Sequence, residues 1–237
     1  MLILAALALL MAISAWLIVR DDVRNESSMQ SDAVNRHVWR DLFSMLMLPQ
    51  AWINGLFSGL TFGMVAAFGA FWCIPYLMQR YGITLGHAAD ASSMIFIGAA
   101  LGAPFIGWLS GRIGIKRNLM IAWPLIAGII FCIIAYVPGI SMPWMFVLIL
   151  LLGFFSGVYL LPFAVMRDIT PSHMRGTAMG YINMMCILIG SPLLQPAIGW
   201  ILNSHAGISL RAYQDAFLVI PASMLIAVVL GYFVRET

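Results

Sequence analysis

The sequence predicts an all-α integral membrane protein, a polytopic bundle with seven transmembrane helices. Three observations predict it. Hydrophobic residues make up 62% of the 237-residue chain and charged residues 9%, against roughly a quarter charged in soluble domains. Apolar segments fall near residues 2–19, 50–78, 91–110, 118–137, 143–166, 177–202 and 213–234, each long enough to cross a hydrocarbon core of about 30 Å. The cations partition by side. Arg20, Arg24, Arg36, Arg40, Arg112, Lys116, Arg117, Arg167, Arg175 and Arg235 fall on one side, and only Arg80 and Arg211 on the other. That bias places the first group in the cytoplasm, with the N-terminus outside and the C-terminus inside a plasma or inner membrane.

The first segment, 2–19, has no basic residues before it and too long an apolar run for a signal peptide, so it reads as a single membrane helix. Residues 20–49 mix acids, arginines, Asn and Ser. They read as a cytoplasmic linker with a short surface helix near 32–46. The remainder, 50–237, reads as a six-helix bundle. On 50–78, Trp52, Gly55, Gly59, Phe62 and Ala66 follow helical spacing, with Asn54 beside them. The 91–110 span opens after Asp90, which is placed to pair with His87 or Arg80, and carries the hydroxyls of Ser92 and Ser93. The 143–166 span puts Ser156, Tyr159 and Phe163 on one face, and 177–202 carries Asn183 and Gln195.

Small residues recur at four-residue spacing: Gly55/Gly59/Gly63, Gly98/Gly102, Gly107/Gly111, Gly153/Gly157 and Gly176/Gly180. In lipid such faces hold helices together by close packing. Prolines inside spans, at 104, 124, 162, 192 and 196, favour kinks. Cys73, Cys132 and Cys186 lie in apolar runs without a CxxC pair and read as free, buried thiols. No phosphate-binding GxxxxGK, HExxH or GxSxG pattern occurs. The chain therefore reads as no enzyme, with no cofactor, no metal and no nucleic-acid partner.

One stretch organises the rest. Phe105–Arg117 is a short turn, rich in glycine and cations, between two long apolar spans. Gly107, Gly111 and Gly114 are expected to let two helix ends approach and turn, and Arg112, Lys116 and Arg117 sit at headgroup level. The pattern Gly107-x-x-x-Gly111-Arg112-x-Gly114-x-Lys116-Arg117 resembles the cytoplasmic signature turn of the major facilitator superfamily. Arg175-Gly176-Thr177-Ala178-Met179-Gly180-Tyr181-Ile182-Asn183 resembles that family's opening of helix eleven. The resemblance implies that 2–19 is helix six and that 50–234 are helices seven to twelve. The chain would then be the C-terminal half of a twelve-helix transporter, moving a small solute by alternating access, as a symporter or facilitator. Its partners would be the lipid bilayer, a small-molecule solute, and a separate N-terminal half or a second copy.

By the same resemblance, the first and fourth helices of this half line the central cavity. The candidate solute contacts are Asn54, Phe62, Ser156, Tyr159 and Asn183, and the candidate gating turn is Gly107, Gly111, Arg112, Gly114, Lys116 and Arg117. The family's acidic residue falls at Gly111, so no ion pair can form from that position. Arg112 is expected to meet negative helix C-termini instead. Parts of 52–59 and 71–77 look similar to transporters of amino acids or organic acids, with dipeptides and sugars also compatible. A seven-helix receptor shares the topology. A retinal-binding one is excluded because the single lysine, Lys116, lies in a turn. An inert membrane fragment is the third reading.

Overall fold

The computed structural model describes residues 9–14, 16–17, 40–205 and 207–235. By internal contacts the chain divides into Met1–Trp39 and Arg40–Thr237. In the first unit the described residues, 9–14 and 16–17, fall inside the predicted 2–19 span and are helical; the rest of that span and most of the 20–49 linker lie outside the described residues. In the second unit, residues 40–47 form a short helix with Asp41 and Met45 buried, so the last part of the expected linker packs on the bundle.

Six helices follow, each long and apolar enough to cross a membrane: α1 (Pro49–Tyr81), α2 (Leu85–Ile113), α3 (Lys116–Tyr136), α4 (Met142–Ile169), α5 (Ser172–Asn203) and α6 (Leu210–Tyr232). They match the six spans predicted between 50 and 234, with α2 longer by several residues at its start. They run alternately up and down. One end of the bundle collects the basic turns; the other carries Arg80, His205 and Arg211.

Glycine decides how the helices pair. A Cβ at Gly98 would lie 2.0 Å from the Leu150 carbonyl oxygen, and one at Gly102 would lie 2.0 Å from that of Phe154. In return, a Cβ at Gly153 would lie 2.0 Å from the Ile95 carbonyl oxygen. The α2 and α4 backbones therefore touch, with no side chain between them. The α1–α5 pair is similar but less tight: Gly55, Gly59 and Gly63 face Met185, Ile189 and Leu194. The expected packing role fails for Gly107, Gly111, Gly176 and Gly180, where an added Cβ meets nothing within 4 Å. These four lie on helix faces with no neighbour among the described residues.

Two helices are irregular. α1 changes from α to π geometry over Met64–Trp72 before resuming at Cys73. α4 tightens into a 3-10 stretch over Gly157–Leu160. Breaks of this kind concentrate at functional sites. Phe68 of the π stretch forms a buried ring cluster with Tyr76, Phe131, Tyr213 and Phe217, joined mostly edge-on between α1, α3 and α6. The three cysteines are free, with Cys132 only half-buried.

Candidate functional site

The site is built where α1, just before its π stretch, meets the 3-10 stretch of α4. Phe62, one residue before the end of the regular part of α1, lies against Tyr159 in the 3-10 stretch of α4, ring centroids 5.2 Å apart. Both rings are half-buried. The junction is pinned from below. The Ser58 hydroxyl donates to the Tyr159 carbonyl at 2.8 Å, and the Cys186 thiol of α5 lies 3.8 Å from the Ser58 carbonyl. A 3-10 turn weakens local backbone bonding, and Ser58 satisfies one of the carbonyls concerned. Gly190 of α5 leaves the space that the Phe62 ring fills, since a Cβ there would stand 2.9 Å from the ring.

The structure brings together only part of the expected contact set. Phe62 and Tyr159 meet. Ser156 is buried and its hydroxyl returns to the Gly153 carbonyl one turn back, so it stands in the α2–α4 seam. Asn54 is fully buried; its amide donates to the Gln50 carbonyl at 2.8 Å and its Oδ1 has no partner among the described residues. Asn183 is on an exposed face of α5. The stripe read as cavity lining, Gly55 and Gly59 with Phe62, faces α5. Helical spacing groups these residues on one face but cannot say which neighbour covers it. Ser58 was missed because a serine inside a glycine stripe looks like another small residue.

A cavity of about 390 Å³, lined by neither Phe62 nor Tyr159, lies between α2 and α4 at the basic end. Leu160 and Leu161 form its inner wall, Gly107, Ser110, Gly111 and Gly114 one side, and Lys116 and Arg167 its mouth. The open glycines therefore bound space instead of a helix contact. Gly114 makes the turn itself, with φ +74°, a left-handed conformation that favours glycine.

The turn has an acidic partner, although not at Gly111. Lys116 pairs with Asp168 near the end of α4, and Arg167 Nε lies 3.4 Å from the same carboxylate. The carboxylate reaches the turn from another helix, a placement that spacing along one segment cannot reveal. Arg112 lies in the last turn of α2 and stacks over the Trp108 ring at 5.5 Å. Arg117 lies over Tyr232 at 4.4 Å, joining α3 to the end of α6. Both are cation–π contacts, which strengthen where water is scarce.

The opposite end is wired differently. Arg80, one of two partners weighed for Asp90 beside His87, donates to the Ile134 and Val137 carbonyls and to the Tyr76 hydroxyl. Tyr76 also donates to Ile134 at 2.8 Å, and Gln214 to Ala135 at 3.0 Å. These side chains cap the unsatisfied carbonyls that end α3.

This is the architecture of a polytopic helical membrane protein with a cavity that reaches one face. The sequence profile of the Major Facilitator Superfamily matches residues 1–191 and 68–237. The chain belongs to that family, whose fold and relatives are those of transporters, not enzymes. It is 33% identical over 188 residues to a galactose–proton symporter of Escherichia coli, covering 73% of this chain and 35% of that protein. It is 26% identical over 190 residues to a multi-drug resistance efflux pump PmrA homologue of Lactococcus lactis, covering 78% and 43%. A 132-residue stretch is 31% identical to a gentisate transporter of Corynebacterium glutamicum, covering 55% and 29%. The fold is similar to a crystal structure of a bacterial homologue of the human lysosomal transporter Spinster, in an inward-facing and unoccupied conformation. The TM-score is 0.59 at 16% identity, over 98% of this chain and 57% of the other. The chain spans less than half the length of these curated relatives.

Proposed function

We propose that this chain is the C-terminal half of a secondary transporter that moves a small organic solute by alternating access. Residues 1–19 are a membrane helix, 20–49 a linker and 50–237 the moving half-bundle, with the basic turns and the C-terminus in the cytoplasm. The observation that carries the reading is the Phe62–Tyr159 junction. It joins the 3-10 stretch of α4 to α1 two residues before its π stretch. Discontinuous helices meeting near the midplane are the usual construction of a transporter site.

The junction offers ring faces and a phenolic hydroxyl, and none of the residues named at it is charged. This half would therefore hold the solute by stacking and neutral hydrogen bonds. That suits an amphiphilic solute such as an organic acid, an amino acid or a dipeptide. The resemblance to a gentisate transporter supports the first of these. A second half-bundle would complete the site and supply any proton-coupling carboxylate.

The test is uptake into liposomes. The chain alone should not accumulate solute, and adding a matching five-helix N-terminal half should restore uptake. Tyr159→Ala should then lower uptake about tenfold, the scale of one lost aromatic contact. Trp144→Ala, at an exposed α4 start, should leave it nearly unchanged. Concentrative uptake by the chain alone would overturn the half-transporter reading and point to a homodimer. Equal effects of the two substitutions would remove Tyr159 from the site.

A further inference from the structure

Ser92 and Gln195 carry polar groups inside spans and look like solute contacts. The structure gives both another task. The Ser92 hydroxyl of α2 donates to the Gly69 carbonyl at 2.7 Å, and the Gln195 amide of α5 donates to the Ala66 carbonyl at 2.9 Å. Both acceptors lie in the π stretch of α1, Met64–Trp72. Two side chains, from helices on different sides of α1, thus converge on the backbone of one irregular segment.

The π stretch separates two anchored parts of α1. Its first part is seated on α5 through Gly55, Gly59 and Gly63. Its last part is tied to the end of α3 by Tyr76 and Arg80, with Tyr81 donating to the Ile140 carbonyl at 2.8 Å. Neither part can rotate freely to suit the other. The wider turn absorbs the mismatch: the Cys73 amide bonds the Phe68 carbonyl five residues back, not the residue four back. A π turn is less regular than an α turn, and a carbonyl left poorly bonded in lipid is costly. Ser92 and Gln195 meet that need at two points. Position 69 must also be small, since a Cβ there would stand 2.7 Å from the Ile95 side chain.

We propose that Ser92 and Gln195 are positioning residues that hold α1 in its π register. Without them the segment shifts towards the α register and turns residues 64–72 to a new face. The proposal concerns the geometry of α1 alone and stands whether or not the chain transports the solute proposed above.

The experiment uses the full chain in lipid nanodiscs, in a cysteine-free background, with nitroxide labels at Ala70 in the π stretch and Ile129 on α3. Both positions are exposed. Pulsed electron spin resonance should give one narrow distance distribution for the parent and for Ser92→Thr, which keeps the hydroxyl donor. Ser92→Ala and Gln195→Leu should each raise a second distance population by about tenfold, the effect of one lost hydrogen bond. A control pair at Ile129 and Ile226, both exposed, should stay unchanged in every variant. Unchanged 70–129 distances in Ser92→Ala and Gln195→Leu would overturn the proposal. So would broadening of both label pairs, which would mean general loss of packing, or failure of Ser92→Thr to keep the parent distribution.

Discussion

The two ends of this bundle are held by different chemistry. At the end bearing Arg80, His205 and Arg211, side chains bond to backbone carbonyls: Tyr76, Arg80 and Gln214 cap α3, and the Tyr136 hydroxyl donates to the Gln214 carbonyl at 2.8 Å. Beneath them lies the five-ring cluster. At the basic end, Gln50 bonds to the backbone of Phe233 and Arg235, while the basic turn itself is held by contacts between long side chains, as in Lys116–Asp168 and Arg117–Tyr232. The cavity of about 390 Å³ opens there. A backbone carbonyl is a fixed acceptor, whereas an ion pair between long side chains can part and re-form at small cost. The first end is a fixed plate and the second an adjustable mouth.

The largest effect expected from breaking this arrangement lies between the two ends. Gly153→Ala puts a methyl group against the Ile95 carbonyl and should destabilise the bundle by about 3 kcal/mol or more. Gly107→Ala, which meets open space, should change stability by less than about 1 kcal/mol, in the stabilising direction. Unfolding in detergent measures both, and similar losses would show that the cavity wall is packed. Next comes the fixed plate. Tyr76→Phe removes the bond to Ile134 and should cost about 1 kcal/mol. Pairing Lys116→Gln with Asp168→Asn in a double-mutant cycle should give a coupling of about 1 kcal/mol or less that weakens with added salt. A salt-insensitive coupling larger than that of Tyr76 would reverse the comparison.

The smallest effect is a pH dependence at the fixed end. The two ring nitrogens of His205 face the Ile201 carbonyl at 2.9 Å and the Asp215 carboxylate at 3.1 Å. Both partners are acceptors, so the doubly protonated ring fits best. The Ile201 carbonyl and then Asp215 raise the His205 pKa above its ordinary 6.5, against an opposing Arg211. A raised value means the contact is at full strength below about pH 6.5 and is lost as pH rises through the folded-state value. Hydrogen exchange over 207–212 should therefore speed up as pH rises above about 6.5, beyond its intrinsic pH dependence. Asp215→Asn should flatten that excess.

Much of this fold was legible in the sequence. The six spans from 50 to 234 were readable because lipid demands long apolar runs, and the turn at Gly114 because only glycine suits its conformation. Gly98, Gly102 and Gly153 announced a close helix contact, although spacing could not name α2 and α4 as the pair. The site was less legible. Phe62 and Tyr159 were singled out by face and by residue type, and the structure brings their rings together. Ser156 shares their periodicity yet packs inward, because a helix face says nothing about what covers it. Asp168 lies 52 residues from Lys116, and only the fold brings them together. The π stretch has no signature that separates it from an ordinary apolar helix.

The most direct test of the fixed plate and the adjustable mouth is hydrogen exchange on the full chain in nanodiscs, comparing 76–81 and 134–140 with 110–116 and 167–174. The account predicts exchange at least about tenfold slower in the first pair, whose helix ends are held by side chains capping backbone carbonyls. Equal rates, or slower exchange at the basic end, would contradict it.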